Sequence, residues 1–292
     1  MNTKSPQIDE SAPMAALLFN CPDKIGIIAA LAEFFSQRNL NISKYEEYTD
    51  DGQFFSRLEW PITERWATET DFSDEFTDLA QHYQANFQVR FFNRTQSLGL
   101  FVSKQPHALI EILNKQEANF FPGVEISFIV GNDPAMQKYA DRHATPFFYI
   151  PTDTDALAYE QKQLEIVHRY SPDYLGLARY MKVLSANFLQ QVGCPVINIH
   201  HSFLPSFVGA KPYQMAYNRG VKLIGATSHF VTAELDQGPI IEQDVARVGV
   251  AASVQDMIKM GRDIEQQVFA RALLKVLEHK AIVFKNRTII FN

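Results

Sequence analysis

Alternation between apolar and polar positions is the clearest pattern in the N-terminal third of this chain. Runs with a period of two predict strands, and apolar residues three and four apart predict helices. The pattern predicts strands over 14–20, 41–49, 53–62 and 86–92 and helices over 25–39 and 68–84. The Asp-Asp-Gly sequence at 50–52 is a hairpin signal between two of these strands. The order is therefore βαββαβ, a ferredoxin-like arrangement, and we expect 1–13 to be a flexible tail.

Beyond a predicted linker over 94–97, strands alternate with helices. Strands are predicted over 97–103, 124–130, 146–150, 173–178 and 195–200, with helices over 106–116, 134–142, 154–169 and about 184–191. A strand over 227–232 with a return at 239–241, a helix over 252–279 and a hairpin turned at 285–286 follow. Such alternation implies a mostly parallel sheet with both faces covered. We therefore predict an α/β fold, with a ferredoxin-like domain over 14–93 and a Rossmann-like domain over 98–292.

Composition narrows the class of protein. The 292 residues are 46% apolar, which is ample for two domains, and the net charge of −6 without a long basic run argues against a nucleic-acid partner. The two cysteines, Cys21 and Cys194, lie far apart, and no Cys-x-x-Cys or His-x-x-x-His spacing suggests a metal site. No apolar run approaches the roughly 20 residues of a membrane span. We expect a cytoplasmic protein without metal or membrane segment.

Candidate chemistry is concentrated between residues 198 and 243. In a strand, Asn198 and His200 project to the side opposite Ile197 and Ile199, at the carboxyl end where open α/β sheets bind ligands. Asp236 follows the next predicted strand. Taken singly, Asp236 is more simply a turn residue, and His229 a buried histidine with satisfied hydrogen bonds. Their combination with the Asn-x-His pair favours a catalytic site.

The spacing of this segment resembles the folate-dependent formyltransferase family. That family has Asn-x-His, Ser-x-Leu-Pro with a following Gly, a Thr-x-His strand, and Asp-x-Gly followed by two apolar residues and Gln. The matching residues are Asn198, His200, Ser202, Leu204, Pro205, Gly209, Thr227, His229, Asp236, Gly238, Ile240, Ile241 and Gln243. The variant His-His-Ser-Phe-Leu-Pro and the sequence GLARYMKVLS over 176–185 are similar to the formyltetrahydrofolate deformylases, over nearly the whole chain.

The resemblance implies an enzyme that acts on 10-formyltetrahydrofolate and needs no cofactor beyond that substrate. It implies that Asn198, His200 and Asp236 are catalytic. Asn198 would donate to the oxyanion, a protonated His200 would add a charged donor, and Asp236 would stabilise that imidazolium and activate or orient water. It further implies a folate pocket formed by Met181, Lys182, Val183, Leu184, Ser202, Gly209, Thr227, His229, Thr232 and Gln243. Lys182 fits a solvated helix-start cation equally well, and His201 is expected to face away from His200.

The loop before the first helix resembles the ACT domain, a module that binds amino acids and pairs between subunits. Asp23 and Gly26 open that helix and would hold an amino-acid effector, although Asp23 could also be a simple N-cap. Glycine and methionine are the candidate effectors. The module implies a homo-oligomer, either a dimer or a tetramer.

Two other functions stay open at this point. A transferase could move the formyl group to an amine such as glycinamide ribonucleotide, but it would need a glycine-rich phosphate turn, and the chain has Pro106 where that turn would lie. Formylation of methionyl-tRNA is less compatible with the net negative charge of the chain. The chain could also be an amino-acid sensor without catalysis, which the intact Asn198, His200 and Asp236 set argues against.

Overall fold

The computed structural model describes residues 12–153, 155–206 and 212–292, which form two structural units. The described residues up to Thr95, together with His279–Ile282 and Phe291–Asn292, form the first unit. Gln96–Glu278 and Val283–Ile290 form the second. The tail predicted over 1–13 lies outside the described residues, apart from its last two.

The first unit is a four-stranded antiparallel sheet with two helices. Its elements in chain order are β1 Met14–Pro22, α1 Ile27–Ser36, β2 Lys44–Asp50, β3 Gln53–Pro61, α2 Glu69–Tyr83 and β4 Asn86–Phe91. The strand order is β2-β3-β1-β4. A reciprocal capping box between Thr68 and Asp71 starts α2. The ferredoxin-like order predicted from the sequence is confirmed.

Aromatic side chains fill the core of this unit. Phe34 of α1 makes edge contacts with Phe72 and Phe76 of α2, and it stacks on Trp66 at 5.7 Å. Offset and edge-on aromatic pairs stabilise a core beyond the area that they bury. The apolar periodicity of α1 and α2 therefore reports the face that packs on the sheet.

The second unit is built on a seven-stranded sheet. Its strands are β5 Gln96–Val102, β6 Val124–Gly131, β7 Phe147–Tyr149, β8 Tyr174–Ala178, β9 Val196–His200, β10 Leu223–Phe230 and β11 Ile240–Arg247, in the order β11-β10-β9-β8-β5-β6-β7. The neighbouring strands β7, β6, β5, β8 and β9 are parallel to one another. Strand β10 runs antiparallel to both β9 and β11. The predicted α/β fold with a mostly parallel sheet is confirmed.

Helices cover both faces of this sheet. They are α3 His107–Glu117, α4 Gln137–Arg142, α5 Ala156–Tyr170, α6 Ala186–Gln191, α7 Pro212–Arg219 and α8 Val254–Leu277, and a 3-10 turn over Pro134–Met136 precedes α4. In β8, Leu175 and Leu177 pack in the cluster that contains α5 and α6 residues. The intervening Gly176 faces Phe269 and Leu273 of α8. The last strands, β12 Ala281–Phe284 and β13 Arg287–Ile290, form the predicted closing hairpin.

Several boundaries differ from the prediction. The first helix begins at Ile27 and not at 25, because its N-cap Gly26 is left-handed with φ 95°. The strand predicted over 227–232 ends at Phe230, and α7 was not predicted. The domain predicted over 98–292 is also not continuous. His279–Ile282 and Phe291–Asn292 belong to the first unit, where His279 Nε2 contacts the Gln88 carbonyl oxygen at 3.0 Å.

We predict that Gly99→Ala destabilises the second unit. A Cβ atom at Gly99 of β5 would lie 2.4 Å from Cζ of Phe128, a fully buried ring on β6. Because overpacking of a dense core costs about 1–3 kcal/mol, the free energy of unfolding measured in urea should fall by that amount. Gly249→Ala is the matched control, since no heavy atom of the described chain, apart from residues 248–250, lies within 4 Å of the place that its new methyl group would take. Equal stability of both variants would contradict the packing account.

Candidate active site

The site lies at the carboxyl ends of the central parallel strands. β5 has β6 on one side and β8 on the other, so the strand order reverses at β5. Loops that leave adjacent strands in opposite directions open a crevice at such a switch point. Ser103 and Arg179 directly follow β5 and β8, and His200 is the last residue of β9. Polar side chains therefore meet where the fold provides a cleft.

The antiparallel pairing of β9 with β10 brings the next components together. Asn198 lies opposite His229, and His200 lies opposite Thr227. Side chains of directly opposed residues lie on the same face of a sheet. Asn198 and His200, which the sequence placed on one side of β9, therefore share that side with His229.

The loop after β10 places Asp236 beside this pair. Asp236 has a left-handed backbone with φ 55°, a conformation in which aspartate is enriched among non-glycine residues. Two residues later the chain passes so close to β10 that a Cβ atom at Gly238 would lie 1.7 Å from the Phe230 carbonyl oxygen. The Asp-x-Gly spacing thus has a steric cause: only glycine permits the return that points Asp236 inward.

Asp236 is an ionised carboxylate between two imidazoles. Its Oδ1 lies 3.2 Å from His200 Nδ1 and 3.7 Å from His229 Nε2. The hydrogen bond from His200 holds the pKa of Asp236 well below its usual range. The carboxylate consequently keeps His200 in the tautomer that carries its proton on Nδ1.

His229 orients Asn198. Its Nδ1 donates to the Phe230 carbonyl oxygen at 2.8 Å, so in the neutral ring Nε2 is the acceptor. Asn198 Nδ2 lies 3.3 Å from that Nε2 atom. One amide hydrogen of Asn198 is thereby engaged, and the second is available to another acceptor.

A cavity of about 690 Å³ opens over this group. His200 Nε2 is buried and has no hydrogen-bond partner among the described residues. An imidazole nitrogen buried without a partner costs stability unless a ligand or water engages it. The predicted residues that line the cavity are Met181, Lys182, Val183, Leu184, Asn198, His200, His229, Thr232 and Asp236.

The wall over 181–184 is held at both ends by hydrogen bonds to the polar side chains of Ser103 and Glu160. Met181 N donates to Ser103 Oγ at 3.0 Å, and Ser185 N donates to the carboxylate of buried Glu160 at 2.8 Å. Lys182 is not at a helix start, because α6 begins only after its N-cap Ser185; its Nζ donates to the Thr152 carbonyl oxygen at 3.1 Å. The backbone of this segment is therefore fixed before any ligand arrives.

Three residues predicted to bind substrate do not line the cavity. Ser202 and Thr227 are buried, and Thr227 Oγ1 donates to the Ser202 carbonyl oxygen at 2.9 Å while accepting from Leu204 N at 3.0 Å. Gln243 Nε2 donates to Thr227 Oγ1 and to the Leu204 carbonyl oxygen. Thr227 and Gln243 fasten the loop after β9 onto β10 and β11 with their side-chain polar atoms. Ser202 takes part through its carbonyl oxygen, and its buried Oγ has no hydrogen-bond partner among the described residues. Gly209 lies outside the described residues.

Asp23 and Gly26 lie in the first unit, between β1 and α1. Asp23 is not the N-cap, because that position belongs to Gly26, and Asp23 N donates to the Gly52 carbonyl oxygen at 2.9 Å. In the part of the chain that the structure describes, no side chain caps α1. The first N–H groups of α1 therefore have no side-chain acceptor there.

A second polar group in the cavity was missed by the sequence analysis. Glu265 of α8 is 1% exposed, and its carboxylate contacts His107 Nε2 at 2.8 Å, Tyr213 Oη at 2.8 Å and Arg179 Nε at 3.2 Å. Burial alone would raise the pKa of Glu265, but the His107 hydrogen bond and the Arg179 charge outweigh it and lower that pKa. These residues are scattered from 107 to 265, and Arg179 lies inside the 176–185 motif.

His201 was expected to face away from His200, and that prediction is wrong. β9 ends at His200, so the strand alternation no longer applies at the next residue. The two imidazoles instead stack with centroids 4.9 Å apart and planes inclined by 28°. Burial, then Arg179 and His200, lower the pKa of His201 to about 4.

Two further properties bound the site. Among residues 12–153, 155–206 and 212–292, no three His, Cys, Asp or Glu side chains cluster in a way that could hold a metal ion. In the same ranges, no helix is long and apolar enough to cross a membrane.

Comparison with known proteins gives consistent matches. The Formyl transferase family model matches residues 98–273. A formyltetrahydrofolate deformylase of Synechocystis sp. is 41% identical over 95% of this chain and 98% of its own length, and one of Bacillus subtilis is 38% identical over 97% and 96%. The crystal structure of a formyltetrahydrofolate deformylase from Pseudomonas syringae pv. tomato superposes with a TM-score of 0.93 at 35% identity, covering 98% of this chain and 96% of that one.

We predict that His201→Gln makes the protein less sensitive to acid. The pKa of His201 is about 4 in the folded protein but about 6.5 in an unfolded chain. Between these pH values the unfolded chain binds more protons than the folded protein. The free energy of unfolding therefore decreases as the pH is lowered, by roughly 2 kcal/mol from pH 7 to pH 5. Urea unfolding at both pH values should show a drop smaller by about that amount in the variant.

His168→Gln is the control for this measurement, because His168 is exposed on α5 of the same unit. It should keep the acid sensitivity of the unsubstituted protein. An equal loss of stability from pH 7 to pH 5 in His201→Gln and the unsubstituted protein would show that His201 is not held neutral.

Proposed function

Because the chain belongs to the formyltetrahydrofolate deformylases, we propose that it hydrolyses 10-formyltetrahydrofolate to formate and tetrahydrofolate. The observation that carries this proposal is the Asp236–His200 pair. Its outer nitrogen, His200 Nε2, is buried at the cavity and has no partner in the described ranges. A carboxylate-held imidazole with one free nitrogen can take a proton from water at neutral pH.

The folate would occupy the cavity between two walls. One wall is the 181–184 segment, whose backbone is fixed by Ser103 and Glu160 and can present constant hydrogen-bonding groups to a pteridine ring. The other is the loop over 232–236. Met181, Val183 and Leu235 line the cavity with apolar side chains that are more than half exposed. Covering them with an aromatic ligand would contribute to binding.

Hydrolysis begins with attack by water on the formyl carbon. The new C–O bond forms as the carbonyl π electrons move to oxygen, and His200 Nε2 takes the proton that water releases. Asn198 donates its second amide hydrogen to the oxyanion, and the newly charged His200 adds electrostatic stabilisation. The carbon–nitrogen bond then breaks, and His200 returns the proton to the departing nitrogen of tetrahydrofolate.

Asp236 acts in this scheme as an orienting and charge-compensating group. Its lowered pKa makes the carboxylate a weak base, which argues against direct removal of the water proton. Its contact with His200 Nδ1 at 3.2 Å compensates the imidazolium when His200 is charged. Of the roles expected for Asp236, the contact with His200 supports stabilisation of the imidazolium.

The transferase alternative is disfavoured at the start of α3. A phosphate-bearing amine would need free N–H groups there, but Pro106 has none and His107 directs Nε2 at Glu265. The buried carboxylate of Glu265 would repel a phosphate at this point. Water therefore remains the better acceptor.

We predict that Asp236→Asn lowers kcat by a factor of about 10² to 10⁴. The amide cannot compensate the charge on His200. Formate release from 10-formyltetrahydrofolate, with no amine present, is the measurement. Asp141→Asn, an exposed position on α4, is the control and should be fully active. Formyl release that requires added glycinamide ribonucleotide would identify a transferase instead.

We further propose that the first unit is an ACT-like regulatory domain that binds glycine or methionine at Asp23 and Gly26, in a dimer or tetramer. The support is local: α1 starts without a side-chain cap in the described chain, next to a left-handed Gly26. An effector carboxylate could accept from its free N–H groups. The free thiols of Cys21 and Cys194 suit a reducing compartment such as the cytoplasm.

We expect Gly26→Val to abolish the heat of effector binding in calorimetric titration with glycine and methionine. A branched side chain is strained at φ 95° and would distort the start of α1. Gly123→Val is the control, because Gly123 has φ 70° but lies in the second unit. Absence of heat with either amino acid in the unsubstituted protein would remove both as effectors. If instead one of them bound tightly and the unsubstituted protein released no formate, the protein would be an amino-acid sensor without catalysis.

A further inference from the structure

The polar group around Glu265 lines the same cavity as the catalytic residues, but the proposed hydrolysis assigns it no role. It consists of His107, Arg179, His201, Tyr213 and Glu265. Glu265 is 1% exposed, and the side chains of Arg179 and His107 are each 12% exposed. Burying charged groups is costly unless each is paired. A buried ionic group beside a reaction centre is therefore a candidate for a role in the reaction.

Arg179 links Glu265 to His201, the ring that stacks on His200. Its Nε lies 3.2 Å from Glu265 Oε2, and its Nη1 lies 2.6 Å from His201 Nδ1. The residue has a left-handed backbone with φ 61°, directly after β8. Such a backbone persists in a non-glycine residue only where surrounding contacts hold it.

The contact between Arg179 and His201 fixes a proton position. A guanidinium has only donors, so His201 Nδ1 must be the acceptor, and the proton of the neutral ring lies on Nε2. Protonation of His201 at Nδ1 would break this hydrogen bond and place two cations in contact. The low pKa of His201, about 4, agrees with this geometry.

We propose that Arg179 is a positioning residue that fixes His201 as a neutral ring against His200. This inference rests on the proposed hydrolysis, in which His200 becomes positively charged during attack. A second imidazolium with its centroid 4.9 Å away would oppose that charge. A neutral His201 leaves His200 as the one ring of the pair that takes the proton, and the stacked ring restricts its rotation.

The charges that face His201 come from several elements. Arg179 after β8 and His200 on β9 lower its pKa, whereas Glu265 on α8 and Asp236 after β10 raise it. The Tyr213 ring of α7 lies 6.3 Å away, and His107 of α3 acts through Glu265. Glu265 balances the charge of Arg179, and Asp236 balances the charge of a protonated His200. Neither of these two carboxylates is then left to balance a positive charge on His201.

Packing on α8 keeps Glu265 in place. Gly261 lies one turn before Glu265, and a Cβ atom there would lie 2.0 Å from Tyr213 Oη. The missing side chain lets Tyr213 reach Glu265 Oε1 at 2.8 Å. Arg179 is thereby held by a carboxylate that is itself fixed from two other elements.

The test measures His201 and catalysis separately in the full-length protein. Histidine ring resonances are followed by NMR against pH, with His201 assigned from the signal that His201→Gln removes. In the unsubstituted protein His201 should titrate near pH 4. In Arg179→Met its titration should move toward about 6.5. At about pH 8, kcat for formate release should fall about tenfold or more with KM nearly unchanged, because His200 loses its fixed neighbour.

Toward pH 6 the Arg179→Met variant should lose kcat more steeply than the unsubstituted protein, as His201 gains its proton. Arg179→Lys keeps a cation beside Glu265, so it should fold even if Arg179→Met does not; it should keep His201 at low pKa and restore part of kcat. Arg169→Met removes an exposed cation on α5 and should change neither measurement.

An unchanged His201 titration in Arg179→Met would overturn the proposal. So would a loss of kcat that is the same at every pH and is not relieved by lysine, since that pattern indicates a purely structural role. Absence of formate release from the unsubstituted protein would instead refute the proposed hydrolysis. The NMR titration would still decide whether Arg179 sets the protonation of His201.

Discussion

The antiparallel pairing of β10 with β9 is the constraint on which the site depends. It places His229 opposite Asn198 and turns the chain so that the loop carrying Asp236 returns over His200. β10 ends at Phe230 beside Ile197, and the loop that follows folds back over the face that carries Asn198 and His200. The switch to antiparallel pairing thus delivers a carboxylate to two polar groups on the last parallel strand.

Charge compensation is the second principle of the cavity. Two ionised carboxylates, Asp236 and Glu265, each hold a different set of nitrogen groups through contacts of 2.8–3.2 Å. In a poorly solvated cleft such contacts are electrostatically stronger than they would be in water. His200 and His201 are adjacent in sequence and stacked in space, yet one faces Asp236 and the other faces Arg179. Neighbouring residues of the same type acquire different properties in this way.

Hydrogen bonds next to the cavity explain why several residues of the family motif do not line it. Thr227 and Gln243 match the family pattern, but their side chains hydrogen-bond the backbone of Ser202 and Leu204 in the loop after β9. A motif in sequence records both the groups that could meet a substrate and the groups that place them. Burial and hydrogen bonding distinguish the residues that contact the substrate from those that position them. Neither property can be read from the spacing of residues in the sequence.

The sequence by itself determined the order of strands and helices, the change from an antiparallel to a parallel sheet near residue 95, and the grouping of Asn198, His200 and Asp236. The order of elements and the change of sheet follow from local periodicity and turn residues, which act over a few residues. The grouping of the three residues follows from the resemblance of the 198–243 segment to a family motif. It did not reveal α7, the stacking of His201 on His200, or the joining of Arg179 to Glu265. Contacts between residues 179 and 265 form only when separate elements pack. Burying an unpaired charge is costly. The tertiary structure alone therefore decided which residues pair with the buried charges.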